Sequence, residues 1–202
     1  MNPDMMEYIN GHKVAYVDDT HTYYVDGKPV PSVTQIVSTV LESPYLTVRP
    51  HILEQAAFNG IKLHKEIEFY EKHGIHGTSI EFHHYLKLKD AQKIRTIDTE
   101  KLVLVSYNGK IVCAGRLDMI ISSQSTHGYG IGDIKRTTRI YHDHVKLQLN
   151  LYRMGYMQSY QENITFLSCF HLRKFVYQYH RVDIDEAFAI EAIKRYQAIN
   201  NE

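Results

Sequence analysis

The spacing of apolar residues switches along this chain between two and three-to-four, and the switches place most of its elements. Short apolar runs over 13–17 and 22–25 predict two strands, with Asp26-Gly27 as the turn that follows. Ser32 is a good helix N-cap, because its hydroxyl can accept from amides that the first turn leaves unpaired. It predicts a helix over about 33–41. Pro44 and Pro50 bound a loop. A helical pattern follows over about 51–73, with Gly60 as an expected break and Gly74 as the stop. A further helix, polar on most faces, is expected over 79–94.

Beyond that point the pattern turns to strands. Residues 102–107 and 110–121 are rich in β-branched and aliphatic side chains. Asn108-Gly109 between them is the strongest short-range hairpin signal. Residues 122–130 suggest a flexible connection, 131–136 a third strand, 143–160 a helix, and 164–172 with 174–182 a strand pair. Asp183 or Asp185 caps a last helix to about 199. This order predicts an α/β fold with a mixed central sheet flanked by helices. No shift in composition marks a second domain. The expectation is one domain over 1–202, with 1–50 as an N-terminal appendage on the same core.

Composition narrows the function classes. A chain of 202 residues can bury a sizeable core. Its 23 Lys and Arg balance 23 Asp and Glu, and this zero net charge argues against a protein that coats nucleic acid through a basic surface. The two cysteines, Cys113 and Cys169, lie in apolar runs and suggest buried free thiols. An iron–sulfur cluster takes about four cysteine ligands, so none is expected. The first residues lack the apolar core of a signal peptide, and no run approaches the ~18 apolar residues of a membrane span. A cytoplasmic protein without a membrane partner is therefore expected. No P-loop or dinucleotide fingerprint occurs, so no nucleotide cofactor is expected, and Gly128-Tyr129-Gly130-Ile131-Gly132 suggests a turn ahead of a strand.

Candidate chemistry concentrates between Gly115 and Tyr152. Asp133 and Lys135, two apart on a predicted strand, share one face and leave Ile134 for the other. Asp118 lies late in the preceding strand. Two carboxylates and the backbone carbonyl of Ile134 form a hard-oxygen donor set suited to Mg²⁺ or Mn²⁺. An Asp-x-Lys tripeptide is commonly a solvated strand edge. Here it sits in an apolar strand, where charge is costly unless paired or metal-bound. His64 and Glu68 lie one turn apart on a predicted helix, as do Gln148 and Tyr152 on another. Thr137, Thr138 and Arg139 follow the lysine and offer hydroxyls and a guanidinium to a phosphate.

The order His64 … Gly115-Arg116-Leu117-Asp118 … Asp133-Ile134-Lys135 … Gln148 … Tyr152 resembles the RecB-like branch of the PD-(D/E)XK nucleases. The stretch His21-Thr22-Tyr23 … Asp26-Gly27 … Val30-Pro31-Ser32-Val33-Thr34 is similar to the N-terminal segment of phage-encoded exonucleases of that branch. Mitochondrial genome maintenance exonuclease has a similar Pro-Ser-Val-Thr stretch. The match covers roughly residues 20–155. The resemblance implies a restriction-endonuclease-like αβββαβ core with Asp118, Asp133 and Lys135 as catalytic residues. It implies metal ligation by His64, Asp118, Asp133 and the Ile134 carbonyl, with Glu100 as a further donor. Gln148 and Tyr152 would flank the substrate, with Arg116, Thr137, Thr138 and Arg139 as further contacts. The family more often has threonine directly after the lysine, and here Arg136 intervenes.

The expected function is a Mg²⁺- or Mn²⁺-dependent deoxyribonuclease, an exonuclease acting on DNA with preference for a single-stranded end. The alternatives are a structure-specific or restriction-like endonuclease, and a catalytically silent nucleic-acid-binding protein on the same fold.

Overall fold

The computed structural model describes residues 3–45, 47–124 and 126–200. Four strands, β1 (Met5–Ile9), β2 (His12–Val17), β3 (Thr22–Val25) and β4 (Lys28–Val30), form an antiparallel meander. The two strands expected here are the inner pair of four. The Asn10-Gly11 and Asp26-Gly27 turns both carry two consecutive positive φ angles, the turn whose twist suits paired strands.

Helix α1 (Val33–Val40) starts as the Ser32 signal implies. The Ser32 hydroxyl accepts from the Gln35 amide at 3.0 Å, and the Gln35 side chain accepts from the Ser32 amide at 2.7 Å. Helix α2 (Pro50–His73) stops at Gly74, φ +70°, but runs unbroken through Gly60. One interior glycine costs only about 1 kcal/mol relative to alanine. The helix carries that cost through its 24-residue length and through Leu63 and Ile67, buried on the turns after Gly60.

Helix α3 (Ile80–Ala91) is shorter than expected, because β5 (Ile94–Tyr107) begins well before residue 102. β6 (Lys110–Ser123) pairs with it across the Asn108-Gly109 turn, and β7 (Thr126–Lys135) pairs antiparallel with β6. Much of the expected flexible connection is therefore strand, as is the glycine run 128–132. Its glycines are occupied from outside: a Cβ on Gly130 would run into the Phe166 ring, and one on Gly132 would lie 2.8 Å from Met119. Ser125, within that connection, lies outside the described residues.

Helix α4 (His142–Tyr160) crosses from β7 to β8 (Ile164–Leu172), which lies parallel to β7. β9 (Tyr177–Val182) returns antiparallel, and Asp185 caps α5 (Glu186–Asn200) by accepting from the Phe188 amide at 3.0 Å. The result is a mixed five-stranded sheet in the order β5-β6-β7-β8-β9 with helices on its faces, the α/β class that the pattern predicts.

Helices α1, α4 and α5 cover one face through Ile36, Leu147, Leu151 and Ile193 against Ile120 and Ile131. Helices α2 and α3 cover the other through Leu63, Ile67, Phe82 and Tyr85 against Met119 and Phe170. Each such side chain, once buried, contributes about 1.5–3 kcal/mol. The small sheet packs Val14 and Tyr16 against Leu102 and Leu104, and the Ala114 amide donates to the Pro31 carbonyl at 2.9 Å. Cys113 and Cys169 are both buried and free. Among the described residues, no helix is long and apolar enough to cross a membrane.

Candidate functional site

Period two decides which side chains reach the site. On β7, Ile134 packs into the cluster beneath α2 and α3, so Asp133 and Lys135 project to the opposite side. Lys135 Nζ donates to Asp133 Oδ1 at 2.9 Å and lies 2.8 Å from Oδ2. On β6, Asp118 reaches across the strand boundary, and its Oδ2 accepts from the Ile134 amide at 2.7 Å. Helix α2 brings His64 in from one face: Nδ1 lies 3.3 Å from Asp118 Oδ1, and Nε2 lies 3.2 Å from the Ile134 carbonyl oxygen. Helix α4 brings Gln148 from the other. Its amide donates at 3.4 Å both to Asp133 Oδ1 and to the Tyr152 hydroxyl.

These residues edge a cleft of about 1180 Å³, walled by the first half of α2, by residues 136–138 and by Arg173. The loop after β7 is braced from three sides. Arg136 donates to Glu81 through Nε and Nη2 at 3.0 and 2.8 Å, His171 Nε2 lies 2.7 Å from the Thr137 carbonyl, and Arg173 donates to the Thr138 carbonyl at 3.3 Å.

The charges are strongly coupled. Burial pushes the Asp133 carboxyl upward and Asp118 adds to this, while Lys135 opposes it; the net shift is upward. Burial would also raise Asp118, but His64, Lys135 and the Ile134 amide outweigh it and hold Asp118 below the usual carboxylate range. Desolvation opposes a charged His64, yet Asp118 wins and raises its pKa. Burial likewise opposes a charged Lys135, and Asp133 with Asp118 overcomes it, lifting Lys135 to about 12.

Glu100 stands behind Asp118. Thr99 pairs with Met119 and Lys101 with Leu117, so the register sets Glu100 opposite Asp118. It is 8% exposed, adopts φ +57°, uncommon for a non-glycine residue in a strand, and lies 2.7 Å from Arg116 Nε. Burial first, then Asp118, pushes its carboxyl up to about 7 against the pull of Arg116.

The other expected residues are placed as follows. Tyr152 is buried, with its ring against Gly115. Glu68 pairs with Lys72 at 2.6 Å. Arg116 stacks on the Tyr16 ring at 4.5 Å and pairs with Glu100, linking the two sheets outside the cleft wall. Thr137 and Thr138 line the cleft, although the Thr137 hydroxyl donates to the Arg139 carbonyl at 2.8 Å. Arg139 lies on the Tyr141 ring at 4.8 Å and is not part of the cleft wall. Tyr45, Arg136 and Arg173 line the cleft without having been expected there. Tyr45 sits in the proline-bounded loop and Arg173 at a strand end, and neither position carries a motif.

Among the described residues, no group of three or more His, Cys, Asp or Glu forms a ready cage for a metal ion. The donor chemistry nevertheless suits a hard cation. The Asp133 carboxylate is buried beside Lys135, and His64, Asp118 and the Ile134 carbonyl lie around the same cleft.

No protein-family model and no curated protein matches the chain. Among solved structures it is similar to one described as the crystal structure of SSO0001. The TM-score is 0.46 and the identity 16%, over 86% of this chain and 77% of that one.

Proposed function

We propose that this chain is a divalent-metal-dependent deoxyribonuclease, an exonuclease that hydrolyses phosphodiester bonds at single-stranded DNA ends. The observation that carries it is the convergence of His64, Asp118, Asp133 and Lys135 on one cleft, with the buried Asp133 carboxylate set against the Lys135 ammonium. His64, Asp118, Asp133 and the Ile134 carbonyl are the groups to hold Mg²⁺ or Mn²⁺, with Glu100 behind them. The ion supplies Lewis acidity toward the phosphoryl oxygens and acidifies water.

The residues of the chain divide the remaining work. Lys135, lifted to about 12, keeps its proton at neutral pH. It offers a positive charge that meets the negative charge developing on the phosphoryl oxygens, and it lies where it can orient or deprotonate the attacking water. Asp133 holds that ammonium in place at 2.8 Å. Gln148 spans Asp133 and Tyr152 and orients the carboxylate. With no net charge to draw duplex from a distance, the protein engages DNA locally, at a free end.

The test is an end-labelled panel of linear and covalently closed single-stranded DNA with Mg²⁺, Mn²⁺ or EDTA. Linear strands should be degraded only with metal, and circles should survive. Rapid nicking of circles favours an endonuclease, and no cleavage under any metal condition favours a silent binding protein.

A further inference from the structure

A second cavity, of about 220 Å³, opens beside the catalytic lysine. It lies between α1 and α4 and is closed by the 43–45 loop and by Thr137 and Tyr141. It shares Tyr45, Lys135, Thr137 and Gln148 with the large cleft, so the two spaces meet at the reactive centre. Its walls are of two kinds. Val37, Val145 and the rings of Tyr45 and Tyr141 supply apolar surface, and the two rings meet edge to face at 5.4 Å. Hydroxyls of Thr34 and Ser38 supply polar edges from the exposed side of α1.

We propose that this cavity is a one-base subsite, receiving the base of the nucleotide next to the scissile phosphate. The proposal rests on the nuclease function above and specifies its substrate. Three features carry it. An apolar cavity of about 150 Å³ holds benzene, so 220 Å³ accommodates one nucleobase but not a dinucleotide. A flat heterocycle has apolar faces and polar edges, which match the aromatic and aliphatic walls and the hydroxyls. Lys135 and Gln148 line both this cavity and the large cleft, so a phosphate held at Lys135 has its own sugar and base within reach of the cavity. Stacking tolerates any base, and the Ser38 hydroxyl, which donates to the Gln35 carbonyl, and the Thr34 hydroxyl, bonded to that of Ser32, keep acceptor lone pairs for the N–H edge that every base carries, so the subsite is indifferent to sequence. A paired base cannot enter it, which makes an unpaired nucleotide a requirement of the site.

The experiment is a fluorescence titration of the whole protein with 2-aminopurine deoxyribonucleoside 5′-monophosphate, in EDTA and in Mg²⁺. Ser38→Phe and Thr34→Phe each fill the cavity from an exposed helix position. Thr39→Phe, exposed on the same helix but outside the cavity, is the control. Saturable quenching should occur in the wild type and the control, and should weaken by about tenfold or more in a filled variant that melts like the wild type. Unchanged quenching in both filled variants, or none in the wild type, overturns the subsite. DNA cleavage distinguishes the two proposals. Cleavage without nucleotide binding removes the subsite and leaves the nuclease, whereas nucleotide binding without cleavage under any metal condition keeps the subsite and removes the nuclease.

Discussion

Replacing Glu100 by glutamine should stabilise the metal-free protein at pH 8 and do nothing at acid pH. The carboxyl is 8% exposed, faces Asp118 across the strand pair and is pushed from 4.5 to about 7. The sign follows from proton linkage. A group whose folded pKa is raised adds stability below its unfolded pKa, and that stability is lost as pH rises through the folded pKa. For Glu100 the window runs from 4.5 to about 7. At about 1.36 kcal/mol per pH unit, ionised Glu100 costs the folded state about 3 kcal/mol at pH 8. The pull of Arg116 at 2.7 Å already acts to reduce that cost. Glutamine keeps an oxygen for Arg116 and removes the charge. Urea melts in EDTA, wild type against Glu100→Gln, should show the variant more stable at pH 8, with the difference vanishing near pH 4. Equal stability at both pH values, or a less stable variant at pH 8, would refute the electrostatic account of this carboxylate. If Glu100 supports a bound cation, adding Mn²⁺ should stabilise the wild type more than the variant.

Further outcomes concern Lys135, the α4 face and the glycine ahead of Asp118. Lys135→Ala should retain Mn²⁺ binding by calorimetry and lose about 10²-fold or more in cleavage, the scale of removing a positioned charge from a phosphoryl transition state; near wild-type turnover contradicts the role. Gln148→Ala removes two long contacts of 3.4 Å, so cleavage should fall while the melting temperature holds; the opposite pattern assigns Gln148 to the fold. Gly115→Ala places a Cβ 2.6 Å from the Tyr152 ring and 3.0 Å from Val33. It should cost about 1–3 kcal/mol by overpacking and lower activity by shifting Tyr152 away from Gln148; an unchanged melt and rate would show that the ring moves freely.

Several features of the chain were legible without coordinates because their causes are local. Asn108-Gly109 turns because both residues accept positive φ, and Ser32 starts a helix because it bonds an amide three residues on. Asp133 and Lys135 share a face because strand side chains alternate. That alternation pairs Asp133 with Lys135, and the resemblance of the motif order to RecB-like nucleases adds His64, Asp118 and Gln148; the fold gathers all five around one cleft. Other features had no local cause to find. Residues 126–130 form strand because Phe166 lies over Gly130 and Thr165 over Gly128, contacts made across the sheet by side chains far along the chain. Gly115 owes its small size to the Tyr152 ring, thirty-seven positions away in sequence, residues 115 and 152. Arg116 and Arg139 look like phosphate contacts in a linear motif, but Glu100 with Tyr16 holds the first and Tyr141 carries the second. The elevated Glu100 carboxyl and the base-sized cavity exist only where separate strands and helices meet. Turn, cap and alternation arise from torsions and bonds within a few residues, whereas packing contacts, desolvation and cavities arise between elements that only the folded chain brings together.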